Sequence, residues 1–240
     1  MTVLPYKEKS EGKKAQVAEM FDNISPKYDL LNRVLSAGID VRWRKKAVRL
    51  LKPAHPKLIL DIATGTADLA IEALSLQPDK IIGVDISAGM LEYGRQKLAK
   101  LGLQDRIELQ LGDSEGLDFP DNTFDTVMVS FGVRNFENLE AGLRDMHRVL
   151  KPGGMVMILE FSQPTLFPFK QIYGLYSKHV LPRVGRVVSH DPAAYTYLPE
   201  SVKQFPYGPA FQAIMETVGF QQTTCRRLTF GISSIYTGKK

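Results

Sequence analysis

Apolar residues recur along this chain in two alternating rhythms. Short runs rich in β-branched residues, about Lys57–Ile62, Ile81–Val84, Ile107–Gly112, Phe124–Ser130 and Met155–Glu160, read as strands. Between them, apolar positions recur at three- and four-residue spacing, which predicts helices over about Ala67–Leu76, Ala88–Leu101 and Leu139–Leu150. Ser87 is the expected N-cap of the second helix. Lys151-Pro152-Gly153-Gly154 reads as a breaker between the third helix and the fifth strand. This alternation predicts an α/β fold with a parallel sheet. Residues 11–50 read as helical, with Met20, Phe21, Ile24, Tyr28, Leu31 and Leu35 on one face, and Pro26 interrupts or starts a segment there. Residues 161–210 break the rhythm with many aromatic residues and seven prolines, and read as an inserted helical lid. Phe220–Arg227 and Ile232–Gly238 read as a closing β-hairpin with its turn near Gly231. The expected organisation is one domain over residues 1–240, with a helical cap at 1–50 and the lid at 161–210.

Three acids stand where three apolar runs stop: Asp61, Asp85 and Asp113. Ligands of parallel sheets bind outside the carboxyl ends of the strands, so the three are expected to face one crevice. The loop after the first strand, Asp61-Ile62-Ala63-Thr64-Gly65-Thr66-Ala67-Asp68, lacks the G-x-G-x-x-G set that lets a helix N-terminus meet a pyrophosphate. Only Gly65 of its small alternating positions is glycine. Asp85, with Ile86 beside it, lies twenty residues beyond Gly65, the distance expected of a ribose-binding acid. A nucleoside without phosphate fits this pattern. S-adenosylmethionine (SAM), with a ribose, an adenine and a sulfonium cation, fits better than NAD. Asp113 and Ser114 are then candidates for the adenine amino group, or an ordinary polar loop.

Composition narrows the setting. Cys225 is the single cysteine, which leaves no internal disulfide and no cysteine-rich zinc site, and suits a reducing cytoplasm. No signal-peptide core stands at the amino terminus, and no run is long enough to span a bilayer. The net charge is +5, with basic residues concentrated before residue 50. These are solvated helix faces or an attraction to an anionic membrane or nucleic acid. The four histidines, His55, His147, His179 and His190, show no metal-ligand spacing, so no metal is expected. His190-Asp191 is a candidate base with its orienting acid.

Several segments together resemble the SAM-dependent quinone C-methyltransferases of menaquinone and ubiquinone biosynthesis. Tyr28-Asp29-Leu30-Leu31-Asn32, with Ser36 and Trp43 after it, is similar to that family's amino-terminal signature. Arg148-Val149-Leu150-Lys151-Pro152-Gly153-Gly154, leading to Leu159-Glu160-Phe161-Ser162, is similar to its second signature. Ser130-Phe131-Gly132-Val133-Arg134-Asn135 and Tyr195-Thr196-Tyr197-Leu198-Pro199-Glu200-Ser201 are similar to two further segments. There are departures: Asp40 stands where the family often has histidine, and Thr64 and Ala67 replace glycines.

The resemblance implies a class I methyltransferase (Rossmann-like) fold with a mostly parallel seven-stranded sheet. It implies cofactor contacts at Thr66, Asp85, Asp113, Ser114 and Ser130, which join Asp61, Gly65 and Ile86 from the loop reading. It implies a quinol site at Arg134 and Asn135, with Tyr28 and Tyr197 closing it under the lid. The expected reaction is methylation of demethylmenaquinol, or else of a ubiquinone precursor. Such a ring carbon is a poor nucleophile until its hydroxyl ionises. With a phenol pKa near 10, ionisation at pH 7 costs roughly 4 kcal/mol. Arg134 stays protonated, so its expected task is to stabilise the phenolate and orient a water, while Asn135 holds a second oxygen. A surface salt bridge for Arg134 and a loop cap for Asn135 are the plainer readings.

The aromatic segment is core, or a greasy channel for a polyprenyl tail. With the basic helices it would then favour peripheral contact with the inner face of the cell membrane. A homodimer remains open. A nucleic-acid methyltransferase is disfavoured, because Ser130-Phe131-Gly132-Val133 replaces an N/D-P-P-Y/F motif and no cysteine nucleophile lies nearby. A small-molecule O-methyltransferase and a non-catalytic SAM-binding, membrane-docking protein are the other readings.

Overall fold

The computed structural model describes residues 3–180 and 192–240. Three helices come first: α1 (Lys13–Ile24), α2 (Tyr28–Ser36) and α3 (Ile39–Arg49). Pro26 sits in the short 3-10 turn between α1 and α2, where its missing N–H breaks no helical bond. Then β1 (Leu58–Ile62), α4 (Asp68–Ala73), β2 (Lys80–Asp85), α5 (Ala88–Leu101), β3 (Ile107–Leu111), β4 (Phe124–Ser130), α6 (Leu139–Val149) and β5 (Leu150–Phe161) alternate. The lid contributes α7 (Phe169–Leu175), a π-helical turn at Tyr176–Val180 and α8 (Pro192–Gln204). α9 (Pro209–Thr217), β6 (Gln221–Leu228) and β7 (Ser233–Lys239) close the chain.

The seven strands form one sheet in the order β3-β2-β1-β4-β5-β7-β6. β1 to β5 run parallel, and β7 and β6 are antiparallel. Strand order reverses between β1 and β4, so a crevice opens outside their carboxyl ends. Two apolar layers cover the sheet's faces, one centred on Phe124, Val127 and Tyr236, the other on Trp43, Ile59 and Leu159. A third, smaller cluster joins Val17, Met20, Ile24 and Leu31 of the cap to Met90 of α5 and Tyr197 of the lid. Among the described residues, no helix is long and apolar enough to cross a membrane.

Capping chemistry sets the helix ends. Ser87 accepts from the Met90 N–H, and Asn138 does the same for Ala141 at the start of α6. One boundary differs from the sequence expectation. α6 ends at Val149, and Leu150 already pairs with Phe124 as the first residue of β5. Met155 pairs with Thr126, so Lys151–Gly154 is a bulge within the strand rather than a loop before it. Gly153 takes a φ of 77° there, a left-handed value that glycine adopts without cost.

Candidate active site

The site begins with the turn from β1 into α4. Ala63, Gly65 and Ala67 take positive φ values of 51°, 56° and 67°, so two residues with a Cβ are held in a strained region. Thr64 secures the turn: its N–H donates to the Val84 carbonyl at 3.1 Å, and its hydroxyl donates to Asp61 Oδ2 at 2.6 Å. Gly132, after β4, lies so close that a Cβ there would sit 2.5 Å from that of Ala63. The loop therefore rests directly on the end of β4.

Asp61 does not reach the crevice. It is fully buried under the loop it anchors, and burial pushes its pKa up to about 7. Thr66 is also turned away. Its hydroxyl donates to Asp29 of α2 at 2.6 Å and accepts from Lys97 of α5 at 3.1 Å. The remaining nucleoside candidates, Gly65, Asp85, Ile86, Asp113, Ser114 and Ser130, line one crevice of about 70 Å³. Asp85 accepts from the Gly65 N–H at 2.7 Å and the Ser87 N–H at 2.9 Å, one on each carboxylate oxygen. Burial nonetheless raises its pKa to about 6.

The cap closes this crevice at points the sequence did not advertise. Lys14 of α1 meets Asp113 Oδ2 at 2.5 Å. Asp22 of α1 accepts from the Ser87 hydroxyl at 2.6 Å and the Gly89 N–H at 2.8 Å. Asp29 of α2 pairs with Lys97 at 2.6 Å. Each contact spans more than sixty residues of sequence, beyond the reach of any local pattern.

The donor set fits a nucleoside carrying a cation. Among the described residues, four carboxylates, Asp85, Asp113, Glu115 and Glu137, line the crevice with one cation, Lys14, which is already paired. A pyrophosphate would be repelled there; a ribose diol and a sulfonium cation would not. Each Asp85 oxygen keeps a lone pair for a hydroxyl.

Beside the crevice lies a cavity of about 400 Å³, and Phe21, Tyr28 and Phe131 line both. Its wall is largely apolar, built from cap, strand ends and lid. Arg134 enters it from a short 3-10 turn, Val133–Asn135, just past β4. The Arg134 side chain is 7% exposed and pairs with Glu160 at 2.9 Å. The same Nη1 donates to the Phe131 carbonyl, and the guanidinium lies 5.3 Å from the Phe161 ring centre. Its Nε is buried with no hydrogen-bond partner. Asn135 lines the crevice, and its Oδ1 accepts from the Tyr197 hydroxyl at 3.1 Å. Burial pushes the pKa of Tyr197 up to about 12 and also raises that of Tyr28, so both remain donors at neutral pH.

Glu160 is the important residue that sequence reasoning passed over. It is fully buried at the end of β5. The strand-end rule that picked out Asp61 and Asp85 applies to it equally. The salt bridge expected of Arg134 at the surface is instead a buried ion pair with Glu160. Of the histidines, His55 caps a 3-10 turn and His147 packs edge-on against Phe220 at 5.1 Å. The pair His190-Asp191 lies outside the described residues. Among the described residues, no group of three or more His, Cys, Asp or Glu side chains could hold a metal.

Residues 8–240 match the model of the ubiE/COQ5 methyltransferase family. The chain is 50% identical over 240 residues to the demethylmenaquinone methyltransferase of Bacteroides fragilis, covering 99% of this chain and 97% of that one. It is 46% identical over 227 residues to the ubiquinone/menaquinone biosynthesis C-methyltransferase UbiE of Geobacter sulfurreducens, covering 94% and 88%. A SAM-dependent methyltransferase structure from Thermotoga maritima matches with a TM-score of 0.62 at 19% identity, over 92% of this chain and 99% of that one. Haemonchus contortus phosphoethanolamine N-methyltransferase 2 in complex with S-adenosyl-L-methionine matches with a TM-score of 0.59 at 17% identity, over 85% and 57%. These two structures share the class I methyltransferase fold with this chain.

Proposed function

This chain belongs to the ubiE/COQ5 methyltransferase family, and from that premise we propose that it methylates a ring carbon of demethylmenaquinol to give menaquinol. It is a SAM-dependent methyltransferase. The observation that carries the substrate reading is the pairing of two compartments through one shared wall. A small acidic crevice suits the nucleoside, and a large apolar cavity suits a prenylated aromatic ring. When bound, SAM supplies an electrophilic methyl group on a sulfonium.

In this reading Asp85 holds the ribose hydroxyls, and Gly65, Ile86, Ser114 and Ser130 line the nucleoside. Both Asp113 oxygens already accept, Oδ1 from the Glu115 N–H and Oδ2 from Lys14, so it contributes through a remaining lone pair. Tyr28 and Phe131 orient the ring at the junction. Arg134 stabilises the phenolate through its nitrogens not committed to Glu160 and Phe131. Of the roughly 4 kcal/mol that ionisation costs at neutral pH, one charge-assisted hydrogen bond offsets about 1.5–3 kcal/mol. Asn135 has its Oδ1 occupied by Tyr197, so it acts as a donor through Nδ2.

The tail needs a route to lipid. Leu30 and Val34 of α2, Leu166 and Phe167 before α7, and Ile172 and Leu175 within it are all exposed apolar residues. We infer that they rest on a membrane surface from which the quinol is drawn. Sedimentation with anionic vesicles at low salt should carry the protein down; its staying in the supernatant contradicts this contact. Turnover of the purified enzyme with SAM and each ring type tests the substrate. A higher kcat/KM for demethylmenaquinol than for a ubiquinone precursor is expected. Turnover of the benzenoid ring alone overturns the naphthalene assignment.

A further inference from the structure

We propose that Asp40 accepts the proton of the substrate's aromatic hydroxyl, an inference that rests on the quinol reading above. Arg134 cannot do this, because a guanidinium is protonated at every working pH. A base is therefore required elsewhere in the cavity. Among the described residues that line it, Asp40 is the one carboxylate.

Its surroundings leave it ready for a hydroxyl. The Asp40 side chain is 6% exposed. Oδ1 accepts from the Ser36 hydroxyl at 2.6 Å. Oδ2 has no hydrogen-bond partner, although Arg44 Nη2 lies only 2.8 Å away. Nη2 donates instead to Asp68 at 2.9 Å. Arg44 thus offsets the charge of Asp40 without filling its lone pairs. A buried carboxylate oxygen that lacks a donor is costly, and a substrate O–H removes that cost.

The neighbouring groups are consistent with proton transfer. On α2, Tyr28 and Ser36 face the same cavity, and on α3 Arg44 does. Past β4 stands Arg134, and from the lid come Tyr173, Tyr176 and Tyr197. Behind Arg44, Asp68 pairs with Lys97 at 2.8 Å. The cations hold the phenolate once Asp40 has taken its proton. The electron pair released onto the ring then forms the new carbon–carbon bond to the donor methyl as the sulfur–carbon bond breaks. Loss to water of the hydrogen on the methylated carbon restores the aromatic ring. The proton on Asp40 returns to the oxygen, so one proton is released per methyl transferred.

Asp40→Asn tests this with two readouts. Turnover at neutral pH should fall roughly 100-fold, the usual contribution of a positioned base. The residual rate should climb with pH toward the phenol's own pKa near ~10. Calorimetry with S-adenosylhomocysteine should show affinity within about twofold of wild type, since Asp40 does not line the nucleoside crevice. A turnover and pH profile equal to wild type overturns the proposal while leaving the quinol reading intact; a wild-type enzyme inert toward every quinol overturns that reading instead.

The second readout does not need turnover. 1-Naphthol, whose neutral and ionised forms differ in absorbance, is bound in the presence of S-adenosylhomocysteine. Wild type should bind the neutral hydroxyl, and Asp40→Asn should lower the bound naphthol's pKa by about a unit, because a negative neighbour is lost. Identical titrations in the two proteins, or no binding to either, overturn the assignment. Should Asp40→Asn fail to fold, Asp40→Glu serves. A slowed turnover at an unchanged melting temperature supports the base, and wild-type turnover contradicts it.

Discussion

The crevice and the cavity share a wall but are built on opposite principles. The crevice is the more polar of the two: strand ends, a strained loop and backbone N–H groups hold Asp85 in place, and four carboxylates set its charge. The cavity is apolar, and its few charges arrive as pairs, Arg134 with Glu160 and Arg44 with Asp40. On the proposed reading, the difference follows from what each compartment would hold. A nucleoside is recognised by hydrogen bonds that a parallel sheet supplies from its own edge. A prenylated ring offers little to bond, so it is held by shape and burial, while the buried ion pairs stand ready for charge that appears only during reaction.

The largest effect is expected on the cavity side. Arg134→Ala should lower kcat about 1000-fold, the loss of a donor that faces developing charge. It should also destabilise the fold by about 3–5 kcal/mol, because Glu160 is left buried and unpaired. The double variant Arg134→Met with Glu160→Gln should regain most of the melting temperature and none of the turnover. Recovery of turnover in the double variant would reduce the pair to architecture.

Next comes Asp85→Asn, which should weaken SAM binding by roughly 10–100-fold in calorimetry while leaving the quinol KM within about twofold. Normal affinity in that variant removes Asp85 from the nucleoside site. The pH dependence has a definite sign. The folded protein raises the pKa of Asp85 to about 6 and of Asp61 to about 7, so both bind protons more tightly folded than unfolded. Their contribution to the stability of the ligand-free protein is fully present below about pH 4 and is lost as pH rises through 6 and 7. SAM binding should run the other way, weakening as pH falls through about 6, where Asp85 takes up a proton. Asp85→Asn should abolish that slope.

Tyr197→Phe should act more mildly. It removes the hydroxyl that holds Asn135 and should lower kcat/KM roughly 5–10-fold, about the worth of one neutral hydrogen bond. The smallest effect belongs to Lys14→Met. The Lys14–Asp113 contact is about one-third exposed, so its loss should cost SAM affinity at most about fivefold, and less in high salt.

The same contrast explains what could be read from sequence. The sheet, its order of strands and helices and the N-cap at Ser87 follow from periodicity and capping residues, which are local. The position of Asp85 in the crevice followed from its place at a strand end and its spacing from Gly65. Asp61 obeyed the same strand-end rule and yet lies beneath the loop, because Thr64, three residues on, draws its carboxylate inward. Thr66 was drawn away by Asp29 and Lys97, partners more than thirty residues distant. The bulge at Lys151–Gly154 looked like a loop, since glycine and proline mark both. The cavity was legible only as a surplus of aromatic residues, and its ion pairs only as isolated charges.

The crevice and the cavity are claimed to meet so that a methyl group passes from one to the other onto carbon. Turnover of demethylmenaquinol with SAM carrying a carbon-13 methyl, followed by NMR of the product, tests that most directly. The label should appear on the quinol ring carbon beside a hydroxyl-bearing one. A label on oxygen, or a naphthoquinol ring that stays unlabelled while SAM is bound, contradicts it.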